Sequence, residues 1–317
     1  MNTKTKGYIL GAIAAATYGL NPLFTLPLYE IGMNPDSVLF FRYLLALPIL
    51  ALMIKLRGRS FKMKGEELIT SVVVGLLFAI SSLTLFQSYN YMDAGIASTI
   101  LFIYPIIVTL IMFFFFKEKI TIKTAICVIM ATLGIGLLYK TSDGATLSAQ
   151  GVILVLVSAL SYALYIVSIN KSALKDTPTL KVIFFVLLFG MSLYAVRLLL
   201  NQNLTLPDKE HWYLWGNILC LSIFPTAISL MCTTKAISYI GSTPTAILGA
   251  LEPVTAVIIG VSIFHEAISF RILCGLVLIV AAVTIIIAGG GVTSFFVRLR
   301  KMFPRIPQRK GQKCTKK

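Results

Sequence analysis

Apolar residues fall in ten nearly uninterrupted stretches, at about 7–28, 36–54, 67–89, 95–116, 122–139, 150–170, 179–200, 212–234, 243–264 and 270–290. Each has about the length a helix needs to cross a bilayer, roughly 20 residues. Only short polar segments separate them. Length and continuity together predict an all-α integral membrane protein with ten transmembrane helices.

The polar residues orient these spans. With the amino terminus in the cytoplasm and the spans alternating, 23 of the 28 Lys and Arg residues lie in cytoplasmic segments. The outer segments keep Lys140, Lys209 and Arg271, and Arg42 and Arg197 lie within spans. Basic residues are retained on the cytoplasmic side, so a multi-pass protein of the cell (inner) membrane is expected, with both termini cytoplasmic. Placement also changes what the net charge of +16 means. It is a topology signal, and no nucleic-acid partner is expected; the basic tail, residues 293–317, reads as an anchor touching anionic lipid. Charged residues are 13% of the chain, with a mean hydropathy of +0.89, against roughly 25% charged in a soluble domain. Little room is left for a soluble domain.

Cys127, Cys220, Cys232 and Cys274 fall inside apolar runs and Cys314 in the tail, without metal-ligand spacing. They read as packing residues. His211 and His265 stand apart from any carboxylate cluster, so neither a metal nor a cofactor is expected. Asn203-Leu204-Thr205 is a glycosylation sequon by pattern. The amino terminus does not read as a cleavable signal.

The chain repeats itself. Tyr91, Pro105, Phe116, Glu118 and Ile120 match Tyr239, Pro253, Phe264, Glu266 and Ile268 at a constant offset, and Gly7, Ala15 and Tyr18 match Gly151, Ala159 and Tyr162. The reading is a first five-helix repeat over 1–142 and a second over 143–292. Five is odd, so the second copy is inverted in the membrane. Inverted repeats are typical of transporters, with a central site between the halves near the midplane.

Leu251-Glu252-Pro253-Val254 lies midway along a span. It puts a carboxylate near the midplane, where charge is costly and marks a substrate or ion site. Pro253 removes a backbone donor, leaving a carbonyl one turn earlier unpaired. Glu252 can carry a proton or bind a substrate amine; the competing reading is a structural kink with a protonated Glu252. Thr245, Gly249, Glu252 and Ala256 share a helix face. Tyr104-Pro105 is the counterpart in the first half, with a phenol in place of the carboxylate. Arg42 can recognise a carboxylate or phosphate, or else snorkel or pair with another helix; Arg197 is expected to snorkel to the outer interface. Pro22 and Pro27 interrupt span one, where Asn21 can line the cavity. Tyr18 and Asn21 share a face, as do Tyr162 and Tyr165 in span six. Most Ser and Thr residues of spans three and eight read as helix–helix glue, with Gln87 the exception. Pro22, Pro105 and Pro253 are the expected helix breaks or gates.

Segments 104–121 and 251–269, with Phe41-Arg42-Tyr43-Leu44-Leu45-Ala46 and Ala16-Thr17-Tyr18-Gly19, resemble the paired signature of EamA-type transporters of the drug/metabolite transporter superfamily. The resemblance spans about 7–290. Lys117 and His265 stand where the family often has Gly, and Tyr18 replaces Trp. The resemblance implies a ten-helix basket whose central cavity is lined by the first four helices of each half. It also implies export of amino acids, other metabolites or drugs.

The expectation is therefore a secondary transporter working by alternating access, a non-enzyme exporting amino acids or related metabolites. Its partners would be a small-molecule substrate, possible protons for coupling, and the lipid bilayer. No GxxxxGK[ST] pattern occurs, which argues against ATP-driven transport. The alternative is an intramembrane lipid- or metabolite-modifying enzyme, which would need clustered acid, base, nucleophile or metal ligands. Gly75 and Ala79 form a small-residue pair too common to imply a dimer.

Overall fold

The computed structural model describes residues 2–92, 94–117, 121–138, 148–207, 209–263 and 270–288. Over these residues the chain is helical and contains no strand. The first half holds α1 (Thr3–Tyr18), α2 (Asn21–Glu30), α3 (Pro35–Leu56), α4 (Gly65–Ser88), α5 (Ala94–Leu101), α6 (Tyr104–Phe116) and α7 (Ile122–Leu138). The second holds α8 (Ala149–Lys171), α9 (Thr179–Asn201), α10 (Trp215–Leu221), α11 (Ser229–Ile240), α12 (Ser242–Leu248), α13 (Leu251–Ile263) and α14 (Phe270–Ala288). Among the described residues, six helical rods are long and apolar enough to cross a membrane: Thr3–Glu30, α3, α4, α8, α9 and His211–Ile240. Phe114, Phe115, Leu199 and Leu200 are between 69% and 78% exposed, an apolar exterior suited to lipid rather than water. This is a multi-pass membrane protein.

Local chemistry sets the helix ends. Asn34 caps α3 by accepting from Ser37 N (2.7 Å), with Pro35 and Asp36 in the first turn. Pro22, Pro105 and Pro253, expected at helix breaks, each lie in the first turn of a helix that follows a break, whereas Pro27, also expected to interrupt span one, lies inside α2. Pro22 starts α2 after Gly19-Leu20; Pro105 lies in the first turn of α6 after Phe102-Ile103; Pro253 lies in the first turn of α13 after Gly249-Ala250. A first-turn proline sacrifices no hydrogen bond, because its N–H would have been unpaired anyway. The carbonyl expected to stand unpaired before Pro253 is in fact used: Gly249 O accepts from Glu252 N at 2.8 Å.

Two features go beyond the sequence expectations. The rod between α10 and α11 contains a π turn, Ser222–Ile228, around Pro225. Arg197, expected to snorkel, has an ion-pair partner: its Nε and Nη2 donate to the two Asp36 carboxylate oxygens at 2.6 and 3.2 Å. A carboxylate in the first turn of α3 is already favoured by the helix dipole, and it lies within reach of the end of α9. Asn34 N donates to Thr205 Oγ1 (3.0 Å) and Thr205 N to Ser37 Oγ (2.9 Å), completing a latch between the two segments. Glu118, Glu266, His265 and the basic tail lie outside the described residues.

The halves contact each other reciprocally. α1 packs on α11 as α8 packs on α4, and α3 meets α9 while α7 meets α14. Small residues permit the approach: Gly7 abuts Tyr239 and Ile240, and Gly151 abuts Tyr91 and Met92. Ser229 Oγ donates to Ala14 O at 2.9 Å, and Ser158 Oγ donates to Ser81 O at 2.7 Å. Ser81 and Ser229 are counterparts at the first offset of the sequence repeat, and Ala14 and Ser158 at the second.

Candidate functional site

The three helix breaks converge. Gly19, in the α1–α2 break, packs against the Glu252 carbonyl and Thr255 at the start of α13. Gly249, in the α12–α13 break, packs against the Tyr104 hydroxyl at the start of α6, so closely that a Cβ at 249 would overlap it. Only glycine allows such an approach at both positions.

At this junction lies a cavity of about 20 Å³, room for about one water. Tyr18, Tyr104, Tyr162, Thr245, Gly249 and Glu252 line it, together with Gly11, Ala14, Ser229 and Thr233. Tyr18 and Tyr162, counterparts in the repeat, stack at 6.0 Å between ring centres, and Tyr104 meets Tyr162 edge-on at 4.8 Å. Glu252 is 5% exposed and lines this space, and its carboxylate has no hydrogen-bond or ion-pair partner among the described residues. An ionised carboxylate left so would be costly. The arrangement suits a group that takes a proton, or meets a cation, during a cycle.

Arg42 is fully buried beside this cavity. Its Nε donates to Thr226 Oγ1 and its Nη2 to Pro225 O at 3.2 Å, both in the π turn. The guanidinium lies 5.5 Å from the Phe86 ring centre and 6.0 Å from that of Tyr18. Cation–π contact offsets part of its desolvation. Among the described residues Nη1 has no partner, and neither do the Asn21 amide, the Thr25 hydroxyl and the Tyr89 hydroxyl. Unpaired buried polar groups are rare in folded proteins and call for an explanation. Arg42 and Glu252 do not touch: among the described residues neither is in an ion pair with the other, and Tyr18 is their common neighbour.

The site residues named from sequence thus divide. Glu252, Tyr18, Tyr104 and Tyr162 line the cavity. Arg42 and Asn21 are buried close by with unpaired donors. Tyr165 stands behind Tyr162, stacked on it at 5.7 Å, and meets Phe78 at 5.0 Å with the rings tilted. Gln87 is half-buried at the end of α4, away from the cavity wall. The sequence reading missed Gly11, Ala14 and Ala15. Their spacing with Tyr18 along one helix face was the available signal. It also missed Tyr89, and it placed Ser229 and Thr233 among the packing residues, whereas Ser229 both bonds across helices and lines the cavity.

Known proteins resemble this chain over most of its length. A protein from Archaeoglobus fulgidus described as an uncharacterized transporter is 24% identical over 291 residues, covering 89% of this chain and 99% of its own. The Bacillus subtilis uncharacterized transporter YvbV is 23% identical over 294 residues, covering 89% and 92%. A solved crystal structure superposes with a TM-score of 0.74 over 92% of this chain and 98% of its own, at 18% identity, and so shares the fold. The model of the EamA-like transporter family matches twice, over residues 5–140 and 149–288. The chain belongs to the EamA-like transporter family, within the drug/metabolite transporter superfamily.

Proposed function

We propose that this protein is a secondary transporter that exports amino acids or related small metabolites across the cytoplasmic membrane by alternating access, without chemically altering its cargo. Ten spans form two inverted five-helix repeats, with both termini in the cytoplasm. The reciprocal packing of α1 on α11 and α8 on α4 supports the inversion, as do the paired serine bonds. The observation that carries the functional reading is Glu252, an unpartnered buried carboxylate in a cavity walled by both halves.

At about 20 Å³ the cavity admits no metabolite. This arrangement is the closed member of the cycle. Rocking the halves apart separates the Tyr18, Tyr104 and Tyr162 rings and opens the space between them. Glu252 then receives a substrate amine or exchanges a proton with it. The free Nη1 of Arg42 and the Asn21 amide receive the substrate carboxylate. The breaks at Gly19-Leu20, Phe102-Ile103 and Gly249-Ala250 supply the hinges.

Metabolite flux tests this. In cells lacking close relatives, wild type should deplete one class of intracellular metabolite. Glu252→Gln, at matched expression, should lose that flux, and a proton uncoupler should lower it in wild type. Normal flux through Glu252→Gln would reduce Glu252 to a structural residue. Arg42→Lys should impair carboxylate-bearing cargo more than neutral cargo, and equal impairment would remove Arg42 from recognition.

A further inference from the structure

A second and larger cavity, about 550 Å³, lies at the helix ends carrying the Lys/Arg-rich connections. It shares no lining residue with the central cavity. A volume of this size falls in the range of small-ligand sites, roughly 300–1,000 Å³. Four cations converge on it from three parts of the chain: Arg57 and Arg59 beyond α3, Lys175 before α9, and Lys235 on α11. Asp176 is the one carboxylate in the lining among the described residues. All four cations are exposed, and among the described residues none forms an ion pair with a carboxylate. Lys235 instead lies 5.1 Å from the Tyr239 ring centre.

Two further features distinguish this place from a set of topology charges, which need the correct side but no particular shape. The first turn of α9 opens into it through Thr179 and Leu180. That helix has no side-chain cap. The dipole at its start adds positive potential to the cations. The remaining lining includes Leu10, Leu180 and Met231, apolar side chains beside the charged rim.

We propose that this pocket binds a phosphate-bearing anion, supplied by an anionic lipid headgroup or by a soluble phosphate ester. Arg57 and Arg59 present planar donors to the phosphate oxygens, Lys175 and Lys235 act as point charges, and the apolar wall takes the organic part. The site is independent of the transport cycle proposed above: it concerns a different cavity, and its occupancy is read without flux.

Cys232 lines the pocket and reports on it. The full chain, with the other four cysteines replaced by serine, is purified in neutral detergent and its rate of maleimide labelling at Cys232 is followed. Phosphatidylglycerol should slow labelling about tenfold, and phosphatidylcholine should leave it unchanged. Arg57→Gln/Lys235→Gln should abolish the protection, and Arg57→Lys/Lys235→Arg should retain most of it, which separates charge from folding. Lys4→Gln/Lys6→Gln removes equal charge from the exposed amino terminus and should keep full protection. Glycerol phosphate distinguishes the sources. Protection by it as well assigns the site to the phosphate group itself, and protection by phosphatidylglycerol alone assigns it to lipid. Protection by phosphatidylcholine, equal loss in the amino-terminal variant, or no protection by either phosphate compound would overturn the proposal.

Discussion

Single residues here are constrained by how closely backbones approach. Gly249→Ala forces a Cβ into the Tyr104 hydroxyl. Overpacking of this kind costs about 1–3 kcal/mol, visible as a lower Tm in detergent. Tyr104→Phe removes the overlapping oxygen, so the double variant should recover part of the loss; additive losses would show that the two residues are not coupled. Thr226→Val leaves the Arg42 Nε unpaired in a buried place, and it should cost about 1–3 kcal/mol while also lowering flux. Lys117 is a third case. It ends α6 with a left-handed φ of 52°, which explains why the family favours Gly at this point. Lys117→Gly should raise stability by about 1 kcal/mol, measured as a higher Tm. Glu252 and Tyr104 were legible in the sequence because polar groups and prolines stand out in an apolar run. The partners of Arg42 were not: Thr226 looks like any membrane threonine, and a π turn leaves no spacing signal that a periodicity of 3.6 would reveal.

Elements show where sequence reasoning succeeds and where it stops. Hydrophobic length located five of the six long apolar rods among the described residues to within a few residues at each end, and the sixth, His211–Ile240, to within six, since a bilayer imposes one length on every helix. It did not show that prolines would begin half-helices rather than kink whole ones, because that depends on where the chain relinquishes hydrogen bonds. At the α12–α13 break, Gly249 O is already paired with Glu252 N. Pro253→Ala supplies a donor that can extend α12 into α13 and turn Glu252 away from the cavity. Flux should fall by about tenfold, equivalent to ~1.4 kcal/mol in the barrier, with little change in Tm. Unchanged flux would mean that the break does not depend on the proline. Nor could an apolar pattern reveal the pairing of Asp36 with Arg197, because it joins residues far apart in sequence that meet only after α3 and α9 pack.

At the scale of the whole molecule, the latch and the basic pocket occupy opposite ends of the interface between α3 and α9. The latch joins residues 34–37 at the start of α3 to 197–205 at the end of α9. At the other end, the segment beyond α3 and the segment before α9 stand apart around about 550 Å³ of space. If the halves rock with the topology proposed above, the latch must open when the cavity faces outward. This gives a test that does not require the cargo's binding residues. Asn34→Cys/Thr205→Cys replaces two latch positions whose backbone and side-chain atoms already bond at 3.0 Å. In a cysteine-free background, oxidation should close the bridge and stop flux, and reduction should restore it. The single variants should transport in both conditions. Asp36→Ala should do the reverse, increasing labelling of a cysteine at 34 from the outer side because the ion pair that holds the ends together is gone. Continued flux through the oxidised double variant would mean that cargo passes while α3 and α9 remain tied. The hinges at the three helix breaks would then have to open the path by themselves, and rocking of whole halves would not be the mechanism.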